Sequence, residues 1–355
     1  MKLKKILRKI EKRAIIRFSN NIKIRKIDEL AITPTMKCCL NCAMCHQKEI
    51  KHWPNMPYSD FEKLLNNLKR QGVKKISLVG GEIFVHPEMW KFIELMKKLK
   101  FQYDLSSNLF FVPKGVEEFG KLKGLEMVTT SIDGVSEQHD KIRGVSGSFK
   151  RTVENIKKII SMRIPIDVAC VVQKANIYNL EEIVEFICKL KVKSITLLVE
   201  NNLSEEEQRV NKKIIKKVTG KESEVLVSAI KNPLGSMNEK DWKIVIEKIQ
   251  ILKKITKKYG CSLNLDTQLE NPELLNERVN LKNYTCGIFK GYNMILYNDG
   301  SLPFCGFIKL AGDYKLYNKK PLEVANSEEY VKLRKVFSKY AALPMCRMCC
   351  ALKRK

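Results

Sequence analysis

Four cysteines crowd into TMKCCLNCAMCHQ, residues 35–47, and three of them, Cys38, Cys42 and Cys45, fall at C-x3-C-x2-C spacing. Disulfides are a poor use for them. A chain of 355 residues can build its core without covalent staples, and the N-terminal MKLKKILRKIEKRAIIRF lacks the uninterrupted apolar block of a secretory signal. Reduced thiols clustered in a cytosolic setting hold metal or do redox work. Three thiolates on one short loop can converge on one face of a cubane, and a [4Fe–4S] cluster held by only three leaves one iron open to a further ligand. Zinc is the alternative, with neighbouring His46 as a fourth ligand closing a tetrahedral site.

Such a loop needs a scaffold. From residue 28 onward the runs ELAITPT, KKISLVGG, FQYDLSS, LEMVTTSID, IPIDVACVV and KSITLLVE read as strands, and amphipathic helical patterns alternate with them. SDFEKLLNNLKRQG is expected to start with Ser59 as N-cap and to stop at Gly72, and SFKRTVENIKKIISMR to start at Ser148. The fold class expected is therefore α/β: six β/α units forming a partial barrel or an open doubly wound sheet. In both, chemistry belongs at the C-terminal ends of the strands. The unusual residues do follow strands. The cysteines follow the first, Gly80, Gly81 and Glu82 the second, Ser107 and Asn108 the third, and Ser131, Asp133 and Gly134 the fourth.

At 44% hydrophobic and 30% charged the chain is globular rather than disordered. No apolar run approaches the roughly 18 residues of a membrane span. The net charge of +27 favours an acidic partner such as nucleic acid, an anionic membrane or a phosphorylated substrate. A general lysine-rich bias explains it equally well, because the lysines are scattered along the whole chain.

From Ile32 to Glu200 the chain resembles the radical S-adenosylmethionine (radical SAM) enzymes, through CCLNCAMC, GGEIFVHPEMW and SIDGVSEQHDKIRGVSGSFKRTVENI. One departure is Met44, where the family commonly has an aromatic residue before the last cluster cysteine. The resemblance implies a (β/α)6 partial barrel and a [4Fe–4S] cluster on Cys38, Cys42 and Cys45. Its open iron would chelate S-adenosylmethionine, and one electron, from a reducing partner such as flavodoxin or ferredoxin, would release a hydrogen-abstracting 5′-deoxyadenosyl radical. By the same resemblance Gly80, Gly81 and Glu82 receive the ammonium, and Ser107, Asn108 and Ser131 meet the ribose hydroxyls and carboxylate. Arg143 forks onto the methionyl carboxylate, with a surface salt bridge as its alternative role. Val172 and Gln173 lie near the adenine.

The C-terminal stretches YTCGIFKGYNMILYNDGSLPFCGF and LPMCRMCCALKRK place Cys286 and Cys305 around a hairpin turn, YNDGSLPF, and Cys346 and Cys349 at C-x2-C spacing. This resembles the auxiliary-cluster extension of radical SAM enzymes, in the short twitch form rather than the full SPASM form. It implies a second [4Fe–4S] cluster on those four thiolates, with a zinc ribbon as the alternative. Cys170 and Cys188 read as core residues, Cys39 and Cys350 as alternate ligands, and Cys261 is unassigned. The organisation expected is a basic amphipathic helix over 1–27, suited to an anionic membrane surface or acidic partner, then a radical SAM core over 28–200. A linker and helical segment over 201–280 and the twitch/SPASM-like domain over 281–355 follow.

A fully ligated auxiliary cluster suits an electron acceptor, so the expected reaction is a two-electron oxidation of an anionic small molecule or sugar in the cytoplasm. Modification of a ribosomally made peptide, as a maturase or epimerase, is the second expectation. The 37 residues before Cys38 are too few for a fused leader-binding domain. The distant alternative is a zinc-bearing nucleic-acid-binding protein, which would have no use for GGE and SIDG at strand ends.

Overall fold

The computed structural model describes residues 23–45, 53–200, 203–225, 232–275, 281–287, 294–340, 343–349 and 351–354. Most of the expected N-terminal helix, with His46 and Cys350, lies outside them. Residues 23–27 are not helical; instead Asn326 clamps Ile24, accepting from its N–H at 2.8 Å and donating to its carbonyl at 2.9 Å.

The six expected strands form as β1 (Glu29–Ile32), β2 (Lys75–Leu78), β3 (Gln102–Ser106), β4 (Leu125–Ser131), β5 (Ile166–Val172) and β6 (Ser194–Val199), all parallel and adjacent in chain order. Their β-branched, alternately buried residues suit a sheet covered by helices. Two further strands, β8 (Ser262–Leu265) and β10 (Ile295–Leu296), extend the sheet to eight in the order β10-β1-β2-β3-β4-β5-β6-β8. The sheet thus reaches into both the stretch expected as linker and the stretch expected as auxiliary domain. β7 (Ser223–Val225) pairs antiparallel with β11 (Ile308–Leu310), and β9 (Tyr284–Cys286) with β12 (Leu352–Arg354).

The longer helices are α1 (Tyr58–Arg70), α2 (Met89–Lys98), α3 (Glu137–Arg143), α4 (Ser148–Ser161), α5 (Leu180–Lys189), α6 (Glu205–Thr219), α7 (Glu239–Lys258) and α8 (Glu328–Tyr340). Helix α1 buries Phe61, Leu64, Leu65 and Leu68, and α5 buries Leu180, Ile183, Val184 and Ile187, each an i, i+3, i+4, i+7 stripe. Ser59 is not the cap of α1. The helix begins one residue earlier behind Pro57, whose extended backbone and free carbonyl start it: Asp60 and Phe61 donate to that oxygen at 3.1 and 3.0 Å. Gly72, at φ +81°, follows its end as expected, and α4 starts at Ser148.

The YNDGSLPF turn is present, closed by Gly300 N–H to the Tyr297 carbonyl at 2.8 Å, with Gly300 at φ +74°. It does not join two strands of one ladder. Ile295 and Leu296 pair with β1, while Ser301 bridges Lys315.

The C-terminal region continues the barrel's core without a break. Phe304 meets Tyr330 and Phe337 edge-on at 5.5 and 5.4 Å, and these residues belong to the same buried cluster as the barrel side chains. Buried Asn67 on α1 ties the two regions by donating to the carbonyls of Leu316 and Lys319 at 2.6 and 2.8 Å. Asn67→Ala leaves both carbonyls without that donor and is expected to lower stability by about 1–3 kcal/mol in urea unfolding.

Candidate functional site

The site is built where the loops after β1, β2 and β3 meet. Its first requirement is steric. The Gly81 and Glu82 N–H groups donate to the Thr35 and Lys37 carbonyls at 3.1 and 2.8 Å, so the cysteine loop lies directly against the GGE turn. A Cβ at Gly80 would stand 2.4 Å from the Thr35 oxygen, and one at Gly81 2.1 Å from the Lys37 oxygen. The two glycines therefore admit the cysteine loop's own backbone, in addition to whatever ligand approaches them.

From the other side α3 holds the same loop. Asn41 and Ala43 donate to the Arg143 and Ile142 carbonyls at 3.1 and 2.8 Å. Gly144 follows α3 at φ +71°, where a Cβ would be 2.4 Å from the Asn41 oxygen. The loop that carries Cys38, Cys42 and Cys45 is thus pinned between two turns that require glycine.

Glu82 is wholly buried and joins the second and third loops. Its carboxylate accepts from Phe84 N–H at 3.1 Å, from Ser107 Oγ at 2.9 Å and from Asn108 N–H at 2.7 Å. Burial outweighs these three donors and pushes its carboxyl up to about 8. The Asn108 amide in turn faces the Cys38 and Cys39 sulfurs at 3.7 and 3.6 Å. Cys39 therefore sits against Cys38, whose thiol is pushed up by that contact and by burial.

Arg143 is not on the surface. Its guanidinium is buried between Asp133, 2.6 Å away, and the Cys42 sulfur, 3.7 Å away, while its Nε is buried with no partner. Asp133 also accepts from Val171 N–H at 2.7 Å, and its own N–H donates to His139 Nδ1 at 3.2 Å. Burial, together with the nearby Arg143 charge, keeps the His139 ring neutral, its pKa lowered to about 4. The sequence named Asp133 only as a strand-end residue and missed His139 altogether; the i, i+4 spacing of His139 and Arg143 on α3 was the available signal.

Ser131 is half-buried at the end of β4. Val172 is completely buried at the end of β5, inside the core cluster. Gln173 next to it is also buried, its Oε1 taken by the Asn232 amide at 3.0 Å and its Nε2 unpartnered.

The C-terminal thiols gather away from this loop. Cys286 ends β9, beside Leu352 of β12, and Cys346 lies within a 3-10 turn that Cys349 caps. Cys286 and Cys305 lie near enough to add to the burial that raises the Cys346 thiol. Burial pushes Cys305 up to about 12. Buried Arg334 of α8 stands in the field of Cys286. Cys170 and Cys188 are core residues, and Cys261 lies buried beside Cys188. Among the described residues, no three His, Cys, Asp or Glu side chains are drawn together at the spacing a single metal ion requires.

Residues 32–187 match the model of the radical SAM superfamily. They form a radical SAM domain. The sporulation killing factor maturation protein SkfB of Bacillus subtilis is 30% identical over 153 residues, 42% of this chain and 37% of that protein. The GTP 3′,8-cyclase of Clostridium botulinum is 29% identical over 170 residues, 46% of this chain and 52% of the enzyme. The chain thus aligns with about a third to a half of these relatives. Streptococcus suis SuiB, in its structure bound to the precursor peptide SuiA, shares the fold at a TM-score of 0.62 and 18% identity, over 98% of this chain and 74% of that one.

The radical SAM superfamily uses S-adenosylmethionine and a [4Fe–4S] cluster, and the residues present fit both. The loop offers three thiols, Cys38 and Cys45 partly exposed and Cys42 buried, and a buried, unpartnered Arg143 Nε stands beside Cys42. Gly81→Ala forces the loop off its seat and is expected to lower iron and sulfide uptake on anaerobic reconstitution, with unchanged far-ultraviolet circular dichroism. Neutral His139 is the form the fold needs, so its contribution is complete above pH 6.5 and is lost as pH falls toward 4. His139→Asn, which keeps an acceptor, is expected to shrink the stability difference between pH 7 and pH 5 in urea titrations of the metal-free protein.

Proposed function

We propose that this protein is a radical SAM enzyme that modifies a ribosomally made peptide by a two-electron oxidation. The observation that carries the reading is that the likeness to the peptide-bound SuiB fold covers 98% of the chain. SkfB adds support, because this relative, 30% identical over 42% of the chain, is a maturation protein. The expectation of a free anionic small molecule rests on the net charge of +27, and the GTP 3′,8-cyclase, 29% identical over 46% of this chain, is the relative that would favour it.

When bound, a cluster on Cys38, Cys42 and Cys45 with S-adenosylmethionine supplies the 5′-deoxyadenosyl radical, and a second cluster on Cys286, Cys305, Cys346 and Cys349 supplies an electron acceptor. The chain's residues hold and orient. Glu82, fixed by three donors, faces the ammonium of S-adenosylmethionine. Arg143 keeps a positive charge beside Cys42, held there by Asp133, and its Nε is the donor left for the methionyl carboxylate. Ser107, Asn108 and Ser131 close the rim around the ribose.

The test uses anaerobically reconstituted, reduced protein given S-adenosylmethionine, with either GTP or short peptides encoded beside its gene. A cognate peptide is expected to accelerate 5′-deoxyadenosine release at least tenfold and to lose two mass units, whereas GTP does neither. The Cys38→Ala, Cys42→Ala, Cys45→Ala variant is expected to make no 5′-deoxyadenosine while retaining iron in the C-terminal set. Acceleration by GTP with inert peptides would move the assignment to small-molecule chemistry.

A further inference from the structure

A cavity of about 280 Å3 opens just beyond β6, between the starts of α6 and α7 and the Arg347–Met348 turn. It lies below the roughly 300–1,000 Å3 of most small-molecule sites, so it has room for one long side chain. Its walls are mixed, with Met237, Trp242, Leu275 and Met348 supplying the apolar part and Ser204 and charged groups the rest. Three charged groups reach it, and two cancel. Arg347 grips Glu207 with two bonds, Nε to Oε1 at 3.0 Å and Nη2 to Oε2 at 3.3 Å. The third is Glu200, the residue after β6.

Glu200 is held by the Asn232 amide, which also donates to Gln173, so the end of β5 braces it. Burial raises its carboxyl above the usual range, and among the described residues no cation faces it. A partly buried carboxylate, set beside an indole and two thioethers, with the neighbouring Arg347 guanidinium already taken by Glu207, is complementary to a cation on an apolar stem. An anionic group would meet the Glu200 charge, and a neutral apolar one would leave the carboxylate unpaired.

We infer that this cavity takes a lysine side chain of the substrate peptide, its ammonium on Glu200 and its methylenes along Trp242 and the methionines. The inference rests on the peptide reading and assigns one residue of that peptide. It also places the occupant at the seam between the strand ends and the C-terminal thiols, because Arg347 and Met348 stand between Cys346 and Cys349.

The probes are N-acetyl-lysine N-methylamide and its neutral counterpart N-acetyl-norleucine N-methylamide, titrated into the full chain. The readout is the 13C-methyl signal of Met237, assigned with Met237→Leu. The lysine probe is expected to bind about tenfold more tightly, equivalent to ~1.4 kcal/mol. Glu200→Gln, which keeps the side chain's size and a bond to Asn232, is expected to abolish that preference, and Glu200→Asp to retain it. Equal binding of the two probes by the native chain, no response at Met237, or a preference that survives Glu200→Gln would overturn the inference. None of these outcomes bears on peptide-dependent 5′-deoxyadenosine release. A lysine preference in a protein that no peptide activates would instead leave a cation site and remove the peptide.

Discussion

Everything at the rim depends on one close approach, the backbone of Thr35 and Lys37 lying against Gly80 and Gly81. No side chain can be inserted there without moving a peptide carbonyl, so the loop's position follows from the absence of two Cβ atoms. Fixing it costs backbone entropy, which glycine makes larger. The interstrand hydrogen bonds of β1 and β2 and the two N–H donors of the GGE turn offset that cost. With both ends of the loop tied, to β2's turn and to α3, three thiols can stand in a fixed relation while the middle of the loop remains open to ligand.

Around that seat the charges are arranged in buried pairs. Arg143 is paired with Asp133 inside the protein, where an unpaired guanidinium would be strongly unfavourable and where its field on Cys42 is not screened by solvent. The consequence is a permanent positive charge next to a thiol that must ionise to bind iron. Glu82 is the opposite case. It is buried with neutral donors alone, so in the absence of a cation its proton is favoured, and a ligand ammonium would displace that proton.

Much of this was legible in the sequence because a parallel sheet places its chemistry by rule. Cysteines, GGE, SSN and SID each follow a β-rich run, and the strands they follow form side by side in chain order. Four things were not legible in full, for separate reasons. CSLNLD and the run before the YNDGSLPF turn read as short strands, but the four and two residues that pair, Ser262–Leu265 and Ile295–Leu296, carry too little pattern to place them in the barrel sheet. The first helix starts behind Pro57 because that residue's fixed φ and its carbonyl suffice, so the nearby serine is a decoy. Arg143 read as a ligand-facing or surface residue because its partner, Asp133, is ten residues away and on the other side of a turn. The Glu200 cavity draws its walls from stretches as distant as Ser204 and Met348, a juxtaposition that only folding makes.

The C-terminal thiols gain their meaning from the same core. A separately folded appendage would need its own apolar interior, which 75 residues supply poorly. Here Phe304, Tyr330 and Phe337 pack into the barrel's cluster, Asn67 reaches across to the Leu316 and Lys319 carbonyls, and β10 joins the barrel sheet outright. Cys305 hangs from a turn that follows a strand hydrogen-bonded to β1, the strand that launches the first cysteine loop. The two thiol sets therefore share one packed core, although Cys286 lies on the separate β9–β12 ladder and Cys346 and Cys349 at a 3-10 turn rather than on the barrel sheet. Arg347, gripping Glu207 at the start of α6, locks the last pair of thiols to the barrel rim.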